Sequence, residues 1–371
     1  MKIEALLRHI DNDFIAGVPD SQLKELCNFV NTDAQCFNIT AANEGNAVAV
    51  AAGYHLATGK TPIIYMQNSG IGNAMNPVIS LISNRVYAIP CVFIIGWRGE
   101  PDIHDEPQHM FQGEITLDIL HTLNIDTYVI TKDTTEDDIG KQIHEWRTNL
   151  SSGKSVAFIV KKNSLQYDKK CVYKNEYTMN REEVLRKITD VSKEDILVTT
   201  TGKTSRELFE IRERNKQSHK YDFLTVGSMG HCSSIAFGIA LQKKKTKIWC
   251  IDGDGAAIMH MGSMAIIGAN KPSNLIHIVI NNNSHESVGG MPTVGGQIDF
   301  VKIAQGCGYE YTISVDNYAD LEIELNRVKK MNKLVFFEVK TAIGSRSNLG
   351  RPTKSPVENK EDFMQYLKEC E

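Results

Sequence analysis

Short apolar, β-branched segments alternate with helix-length amphipathic stretches along the first 160 residues. The apolar segments predict strands at 14–18, 36–40, 62–66, 91–96, 126–130 and 155–160, and the amphipathic stretches predict helices at 20–31, 44–58, 70–83, 114–123 and 135–150. Strands that alternate with helices are typical of a parallel sheet covered by helices on both faces. We therefore expect one doubly wound α/β domain in this part of the chain.

The alternation stops between residues 164 and 180, where a polar sequence predicts an exposed connection. It resumes afterwards, with strands predicted at 196–200, 222–226, 247–252, 275–281 and 333–340, and helices at 204–214, 230–241, 257–269, 299–307 and 319–330. We therefore predict two doubly wound parallel-sheet domains, residues 1–163 and 181–371, with no third domain between them. The halves share no short sequence repeat, so any kinship between them is expected in topology alone.

The overall charge argues against two classes of partner. The 371 residues include 41 basic and 45 acidic side chains, for a net charge of −4, so no broad positive field attracts nucleic acid or an anionic membrane. The chain contains no apolar run long enough for a membrane span or a signal peptide. Its eight cysteines form no CxxC pair, which predicts neither a zinc site nor a disulfide scaffold. We expect a cytoplasmic protein whose partners are small molecules.

The second predicted domain places polar residues directly after two successive strands. Gly253-Asp254-Gly255 follows one strand and three asparagines, 281–283, follow the next. Because the carboxyl ends of such strands lie side by side, Asp254 and the asparagines are expected to converge, and their oxygens suit Mg²⁺ bound to phosphate. The glycines allow a close approach of the backbone, and a helix predicted to begin near Ala256 offers N–H groups to the same anion. A simple strand-ending turn is the alternative.

This order of strand, Gly-Asp-Gly, helix, strand and Asn-Asn resembles the signature of the thiamine diphosphate enzymes. The resemblance implies thiamine diphosphate and Mg²⁺ as cofactors. It also implies metal ligation by Asp254, Asn282 and the backbone carbonyl of Ser284, and cofactor contacts at Gly253, Gly255 and Ala256. Residues 1–163 would then bind the pyrimidine ring, and residues 181–371 the diphosphate and the metal.

Two further pieces of such a site are present. The cofactor is activated by a carboxylic acid that bonds its aminopyrimidine ring, and the resemblance assigns this role to Glu44, at the start of a small, apolar predicted helix. Helix capping is the alternative, because Asn43 can cap and the helix dipole favours a first-turn glutamate. In the run GSMGH, Gly227 and Met229 correspond to the loop beneath the bent cofactor, and a core methionine is the alternative for Met229.

The resemblance becomes more specific when further segments are included. The chain resembles the phosphonopyruvate decarboxylase family over nearly its whole length, through GVPDSQLK (17–24), AANEGNAVAVAAGYHLATGK (41–60), YMQNSGIGNAMNP (65–77), GWRGEPDIHDEPQH (96–109), TTGKTSREL (200–208), GSMGH (227–231), the metal run and SRSNLGRPTKSPVENK (345–360). This resemblance implies decarboxylation of 3-phosphonopyruvate to phosphonoacetaldehyde and CO₂ in phosphonate biosynthesis. The alternatives are a sulfopyruvate decarboxylase, an acetolactate-type carboligase and a catalytically silent cofactor-binding scaffold.

A substrate with a carboxylate and a phosphonate requires local hydrogen-bond donors and positive charge. The candidate substrate residues lie in the shared segments and are Asp20, Ser21, Asn68, Ser69, Arg98, His109, His285, Arg346 and Arg351. Helix capping at Asp20-Ser21 and Asn68-Ser69, and ordinary ion pairs at the arginines, are the alternatives. The glycine-containing segment 283–297 suggests either a lid or a plain long loop. The resemblance also implies a homodimer or homotetramer with active sites at subunit interfaces.

Overall fold

The computed structural model of the chain describes residues 1–33, 36–288 and 290–370. The chain divides into two compact units, which comprise Met1–Val172 with Val288–Met291, and Tyr173–Ser287 with Pro292–Glu371. The main division, between residues 172 and 173, falls inside the connection predicted at 164–180. Part of that connection packs on the first unit, where Ser164 and Leu165 are buried.

The first unit is built on a six-stranded parallel sheet. Its strands are β1 (Phe14–Gly17), β2 (Phe37–Thr40), β3 (Ile63–Gln67), β4 (Val92–Gly96), β5 (Asp126–Ile130) and β6 (Val156–Val160), in the order β2-β1-β3-β4-β6-β5. The helices are α1 (Ile3–Ile10), α2 (Lys24–Thr32), α3 (Glu44–Thr58), α4 (Ile71–Pro77), α5 (Pro107–Thr122) and α6 (Glu136–Ser151), with a 3₁₀ turn at Asn68–Gly70 and a π turn at Val78–Ile82.

The second unit is built on another six-stranded parallel sheet. The strands along this part of the chain are β7 (Ile196–Thr199), β8 (Asp222–Leu224), β9 (Ile248–Gly253), β10 (Leu275–Asn281), the two-residue β11 (Ser284–His285) and β12 (Met291–Pro292), β13 (Tyr311–Val315) and β14 (Val335–Lys340). The helices are α7 (Arg181–Ser192), α8 (Lys203–Arg214), α9 (Cys232–Gln242), α10 (Asp254–Met259), α11 (Gly262–Asn270), α12 (Phe300–Cys307), α13 (Tyr318–Lys330) and α14 (Pro356–Glu369), with 3₁₀ turns at Glu286–Val288 and Val294–Gly296.

The two large sheets have the same topology. The second sheet has the order β8-β7-β9-β10-β14-β13, which matches the first sheet when strands are counted within each unit and the short β11 and β12 are left out. The kinship of the halves therefore lies in topology, as expected from the lack of a sequence repeat. In such sheets, ligands bind at the carboxyl ends of the strands where the strand order reverses, which is between β1 and β3 and between β7 and β9.

Helices cover both faces of each sheet, because successive strand residues point to opposite sides. In the first unit, Val92 and Phe158 belong to one apolar layer, whereas Phe93 belongs to the layer on the opposite face. In the second unit, Trp249 and Cys250 are divided between two layers in the same way. The predicted architecture of two doubly wound α/β domains is confirmed.

Several element boundaries differ from the sequence-based expectation. The helix expected to begin near Ala256 begins at Asp254, and the helix predicted at 257–269 is two helices, α10 and α11. Helix α5 begins at Pro107 rather than at residue 114, because proline suits the first helical position. The unpredicted helices and strands are α1, α7, α14, β13 and the two-residue β11 and β12.

Candidate active site

The carboxyl edge of the first sheet carries a polar residue after each of four neighbouring strands. Asp20 follows β1, Glu44 follows β2, Asn68 follows β3 and Arg98 follows β4. All four were candidates from the sequence. The parallel order of the strands brings them to one edge, which is where doubly wound folds bind their ligands.

Glu44 is the first residue of α3 and is only 5% exposed. The neighbouring Asn43 performs the capping, because its side chain accepts a hydrogen bond from the Asn46 backbone at 2.9 Å. The Glu44 carboxylate instead accepts a hydrogen bond from the Asn73 side-chain amide at 2.8 Å. A side chain at position 70 would clash with it, since a Cβ built on Gly70 would lie 2.5 Å from Glu44 Oε1. The close approach of Gly70 is what leaves room for this acid.

A hydrogen-bonded chain links the residues that follow β1 and β3. The Gln67 side-chain amide donates to the Asp20 carboxylate at 2.6 Å, and the Ser69 hydroxyl donates to the side-chain oxygen of Gln67 at 2.8 Å. Asp20 is fully buried, and burial raises the pKa of its carboxyl. Its second oxygen has no hydrogen-bond partner among the described residues and lies where a Cβ on Gly96 would clash. Asp20 and Ser69 therefore belong to one polar network.

Arg98 is held rigidly by its neighbours. Its guanidinium donates two hydrogen bonds to Asp105, at 2.7 and 2.5 Å, and a third to the Ser21 hydroxyl at 3.1 Å. Although burial opposes it, Arg98 holds the pKa of Asp105 well below its usual range. Burial and the positive charge of Arg98 lower the pKa of His109 to about 4, so this imidazole is neutral near pH 7. Arg98 therefore supplies a fixed positive charge, and His109 supplies none.

Asn68 already has several hydrogen bonds inside the first unit. Its amide donates to the Arg98 carbonyl at 2.8 Å and to the Thr116 hydroxyl at 2.9 Å, and its side-chain oxygen accepts from the Arg98 backbone at 3.2 Å. The side chain is 1% exposed. Asn68 thus ties the end of β3 to the end of β4, and it positions Arg98.

In the second unit, Asp254 lies in a small oxygen-lined space at the start of α10. The carboxylate is buried, and it accepts a hydrogen bond from the Thr293 hydroxyl at 2.5 Å. Burial raises the pKa of Asp254 to about 6. A Cβ built on Gly295 would lie 2.9 Å from both Asp254 Oδ2 and Asn281 Oδ1. Two oxygens therefore converge on a space that only a glycine leaves open, which fits a bound cation.

The segment after β10 carries the other predicted metal ligands. Asn282 is buried, its side-chain oxygen accepts from the Ser284 backbone at 3.0 Å, and its amide donates to Glu286 at 3.1 Å. Burial would raise the pKa of Glu286, but Arg181 and Lys203 lower it to about 2. Both cations contact Glu286 at 2.7 Å. The Asn282 amide is therefore held by a firmly ionised carboxylate.

The Gly227–Met229 loop and His285 approach the start of α10. A Cβ built on Gly255 would lie 3.1 Å from the His285 ring and 3.5 Å from the Met229 methyl group. Met229 is only half-buried, which favours the role beneath a cofactor over that of a core methionine. Gly227 has a φ of 66°, and its N–H donates to Thr201 at 3.0 Å. Burial lowers the pKa of His285 to about 4, so this ring is neutral near pH 7.

The two arginines predicted near the chain end differ in their surroundings. Arg346 donates to the carboxylates of Glu182 and Glu210, so its charge is matched within the second unit. This is the ion-pair role that the sequence left open as the alternative. Arg351 is exposed.

Four of the described residues that contact the predicted metal ligands were not singled out in the sequence. They are Asn175, Glu286, Thr293 and Gly295, which contact Asn282 or Asp254. Glu286 lies in the polar run after the asparagines. Its position close to the predicted metal ligands is the sequence feature that could have identified it. No short motif marks Thr293 or Gly295, because both are distant from Asp254 in the sequence and approach it only in the folded chain.

Comparisons with known proteins agree with this geometry. Residues 3–122 match the family model for the thiamine pyrophosphate enzyme N-terminal TPP binding domain, and residues 200–339 match the model for the C-terminal TPP binding domain. The chain is 31% identical to a phosphonopyruvate decarboxylase of Streptomyces viridochromogenes, over 95% of this chain and 91% of that protein.

Two further relatives are sulfopyruvate decarboxylases. The chain is 26% identical to a sulfopyruvate decarboxylase of Methanosarcina acetivorans, over 99% of this chain and 97% of that protein. It is 33% identical to the sulfopyruvate decarboxylase subunit beta of Methanocaldococcus jannaschii, over 51% of this chain and 97% of that subunit.

Within the described residues, no helix has the length and apolar character needed to cross a membrane.

Proposed function

This chain belongs to the thiamine diphosphate-dependent decarboxylases of the phosphonopyruvate and sulfopyruvate group, and we propose that it converts 3-phosphonopyruvate into phosphonoacetaldehyde and CO₂, with Mg²⁺ as the metal. The observation that carries the choice of substrate is the 31% identity to a phosphonopyruvate decarboxylase over 95% of this chain. The proposed reaction belongs to phosphonate biosynthesis.

The second unit would hold the charged end of the cofactor. In this proposal Asp254, Asn282 and the backbone carbonyl of Ser284 bind Mg²⁺, which neutralises the diphosphate. The backbone at Gly227, Gly253, Gly255 and Ala256 would contact the phosphates, and Met229 would support the cofactor from below. Bound thiamine diphosphate supplies the electron sink for the pair of electrons left when the bond to the carboxylate breaks.

Glu44 would hold a proton at the ring nitrogen of the aminopyrimidine. Its burial and its single hydrogen bond from Asn73 keep the carboxyl in one orientation. A fixed acid contributes to rate because its position does not have to be found during each turnover.

Arg98 is the best-placed cation of the first unit for an anionic group of the substrate. Its bidentate bonds to Asp105 fix the guanidinium plane, and Ser21 contacts its remaining nitrogen. Asp20, Asn68, Ser69 and His109 would shape the polar surroundings of that group. His285 and Arg351 are the proposed contributions of the second unit, whereas Arg346 is already paired with Glu182 and Glu210.

A parallel substrate assay tests the proposed function. Purified protein with Mg²⁺ and thiamine diphosphate is offered phosphonopyruvate, sulfopyruvate and pyruvate, and CO₂ and aldehyde are measured. We expect the highest kcat/KM with phosphonopyruvate. A preference for sulfopyruvate would contradict the substrate and leave the cofactor in place. Condensed products would indicate a carboligase, and no turnover of any substrate would support the silent scaffold.

Glu286 is expected to orient the Asn282 amide so that its oxygen, rather than its nitrogen, faces the metal. Glu286→Gln should weaken Mg²⁺ binding by roughly 10–100-fold, the usual effect of losing a group that orients a ligand. Mn²⁺ titration followed by electron paramagnetic resonance measures this affinity without turnover. Glu183→Gln, which breaks an exposed ion pair with Arg186 on α7, is the matched control. Equal Mn²⁺ affinity in both variants would refute the orienting role.

We also propose a homodimer or homotetramer with active sites at subunit interfaces. The support is the resemblance to thiamine diphosphate enzymes, in which the pyrimidine-binding and diphosphate-binding domains that share one cofactor come from different subunits. Glu44 in the first unit and Asp254 in the second would then serve different copies of the cofactor.

A further inference from the structure

A cluster of three potential metal ligands is buried in the second sheet. Cys250 and Asp252 lie two residues apart on β9, so their side chains share one face, and His277 lies directly beside Cys250 in the parallel register of β10. The three ligand atoms all lie within 4.8 Å of one another. Cys250 and Asp252 are fully buried, and His277 is 1% exposed. We refer to these three residues as the Cys-Asp-His cluster.

Two polar atoms of this cluster have no hydrogen-bond partner among the residues that the structure describes. They are Asp252 Oδ2 and His277 Nε2, which lie 3.6 Å apart, too far for a direct hydrogen bond. The other polar atoms of these side chains are engaged, since Asp252 Oδ1 accepts from the Gly253 backbone at 2.9 Å and His277 Nδ1 lies 3.1 Å from the Tyr309 hydroxyl. A buried carboxylate oxygen without a hydrogen bond is costly, so a cation bound by both atoms would stabilise the pair.

A further sulfur lies next to the cluster. Cys232, the first residue of α9, places its Sγ 3.4 Å from Cys250 Sγ, and both side chains are buried. Burial raises the pKa of both thiols, so without a metal they remain protonated. Cys232 is nevertheless a neighbour and not a member of the cluster, because its thiol donates to the Val198 carbonyl at 3.3 Å. The sheet face thus offers one imidazole, one carboxylate and one sulfur in a space away from solvent.

We propose that the Cys-Asp-His cluster binds one zinc ion through Cys250 Sγ, Asp252 Oδ2 and His277 Nε2. Mixed sulfur, nitrogen and oxygen donors suit four-coordinate Zn²⁺, and a site with three protein ligands keeps its fourth position for a small ligand such as water. Binding releases the Cys250 thiol proton to solvent, and the resulting thiolate and the Asp252 carboxylate balance the charge of the ion. The contact of His277 Nδ1 with Tyr309 fixes the ring so that Nε2 faces the metal. Because the site is buried, the ion enters while the chain folds.

This zinc site is separate from the proposed Mg²⁺ site. Mg²⁺ prefers six oxygen ligands and retains water, whereas the Cys-Asp-His cluster contains sulfur and nitrogen and is closed to solvent. The inference therefore does not depend on the proposed reaction, and it holds or fails whatever the substrate.

Zinc content and zinc spectroscopy test the inference on the wild-type holoenzyme. Protein made in zinc-supplemented medium and washed with a chelator should retain about one zinc per chain by mass spectrometry. Zinc K-edge absorption should show sulfur at about 2.3 Å and nitrogen or oxygen at about 2.0–2.1 Å. This measurement needs no variant, so it stands even if substitutions in the core prevent folding. A zinc-free protein, or a zinc shell without sulfur, would overturn the inference.

Variants separate this site from others in the chain. Cys250→Ser and His277→Gln should lower the zinc content at least roughly tenfold. Cys91→Ser changes an equally buried thiol in the first unit and should leave the zinc content unchanged. Asp254→Asn should also retain zinc. If zinc is lost from Asp254→Asn but kept by Cys250→Ser, the ion occupies the proposed Mg²⁺ site and the inference is wrong.

Discussion

Replacement of Glu44 by glutamine is expected to lower kcat by roughly 10²–10⁴-fold, the range for loss of a positioned acid. Glutamine has nearly the same size and can still accept the hydrogen bond from Asn73, so the start of α3 should remain intact. What disappears is the proton that the carboxyl group would share with the cofactor ring. Affinity for thiamine diphosphate, measured by calorimetry with Mg²⁺, should change much less than kcat, because in the proposed site the metal and the diphosphate bind to the second unit.

The matched control for this substitution is Glu136→Gln. Glu136 is also the first residue of a helix, α6, but its carboxylate is exposed and pairs with Arg8. The control therefore removes the same helix-dipole interaction without touching the site. Near-normal turnover by Glu44→Gln, or an equal loss in both variants, would remove Glu44 from the mechanism and leave a stabilising role at the helix end.

The sequence predicted the buried strands well because they are continuous apolar runs. Strands β4 and β6 are fully buried along their length, and their predicted bounds agree with the structure to within one residue. Strand β13 was missed because it lies at a sheet edge, is half-buried and carries Thr and Ser between its apolar residues. Helix α14 was missed although a Ser355–Glu358 capping box and Pro356 mark its start.

The candidate site could be proposed from the sequence where one short motif carries the expected chemistry. Glu44 and Asp254 could be singled out because each stands in a local sequence pattern that follows a strand. The surroundings of these residues could not be predicted, because Asn73, Gly70 and Thr293 reach them through tertiary packing. The partners of Arg98 and Arg346 illustrate the same limit. The sequence alone does not distinguish an arginine that is paired with acidic neighbours from one that is available to bind an anionic ligand.

The Asp254→Asn variant is expected to lose cofactor binding rather than only slow the reaction. The amide keeps the shape of the side chain but removes the buried negative charge that would attract Mg²⁺. Removing one partner of a buried charge pair costs about 3–5 kcal/mol, which corresponds to roughly 10²–10⁴-fold in affinity. Calorimetric titration with thiamine diphosphate and Mg²⁺ measures the effect directly. Asp316→Asn, an exposed aspartate in the same unit, removes the same charge away from the site and serves as control.

Thermal unfolding provides a second, independent readout for Asp254→Asn. The expected change in melting temperature differs between the cofactor-free and the cofactor-bound protein. Burial raises the pKa of this carboxyl to about 6, so at pH 7 the folded protein holds an ionised group that its surroundings disfavour in the absence of a cation. Removing that charge should leave the melting temperature of the cofactor-free protein equal or higher. The increase that Mg²⁺ and thiamine diphosphate produce in the wild type should disappear, because ligand stabilisation follows affinity. If Mg²⁺ and thiamine diphosphate raised the melting temperature of the variant as much as that of the wild type, the metal would bind elsewhere. A carboxylate that ligates the cation cannot be replaced by an amide without weakening the complex.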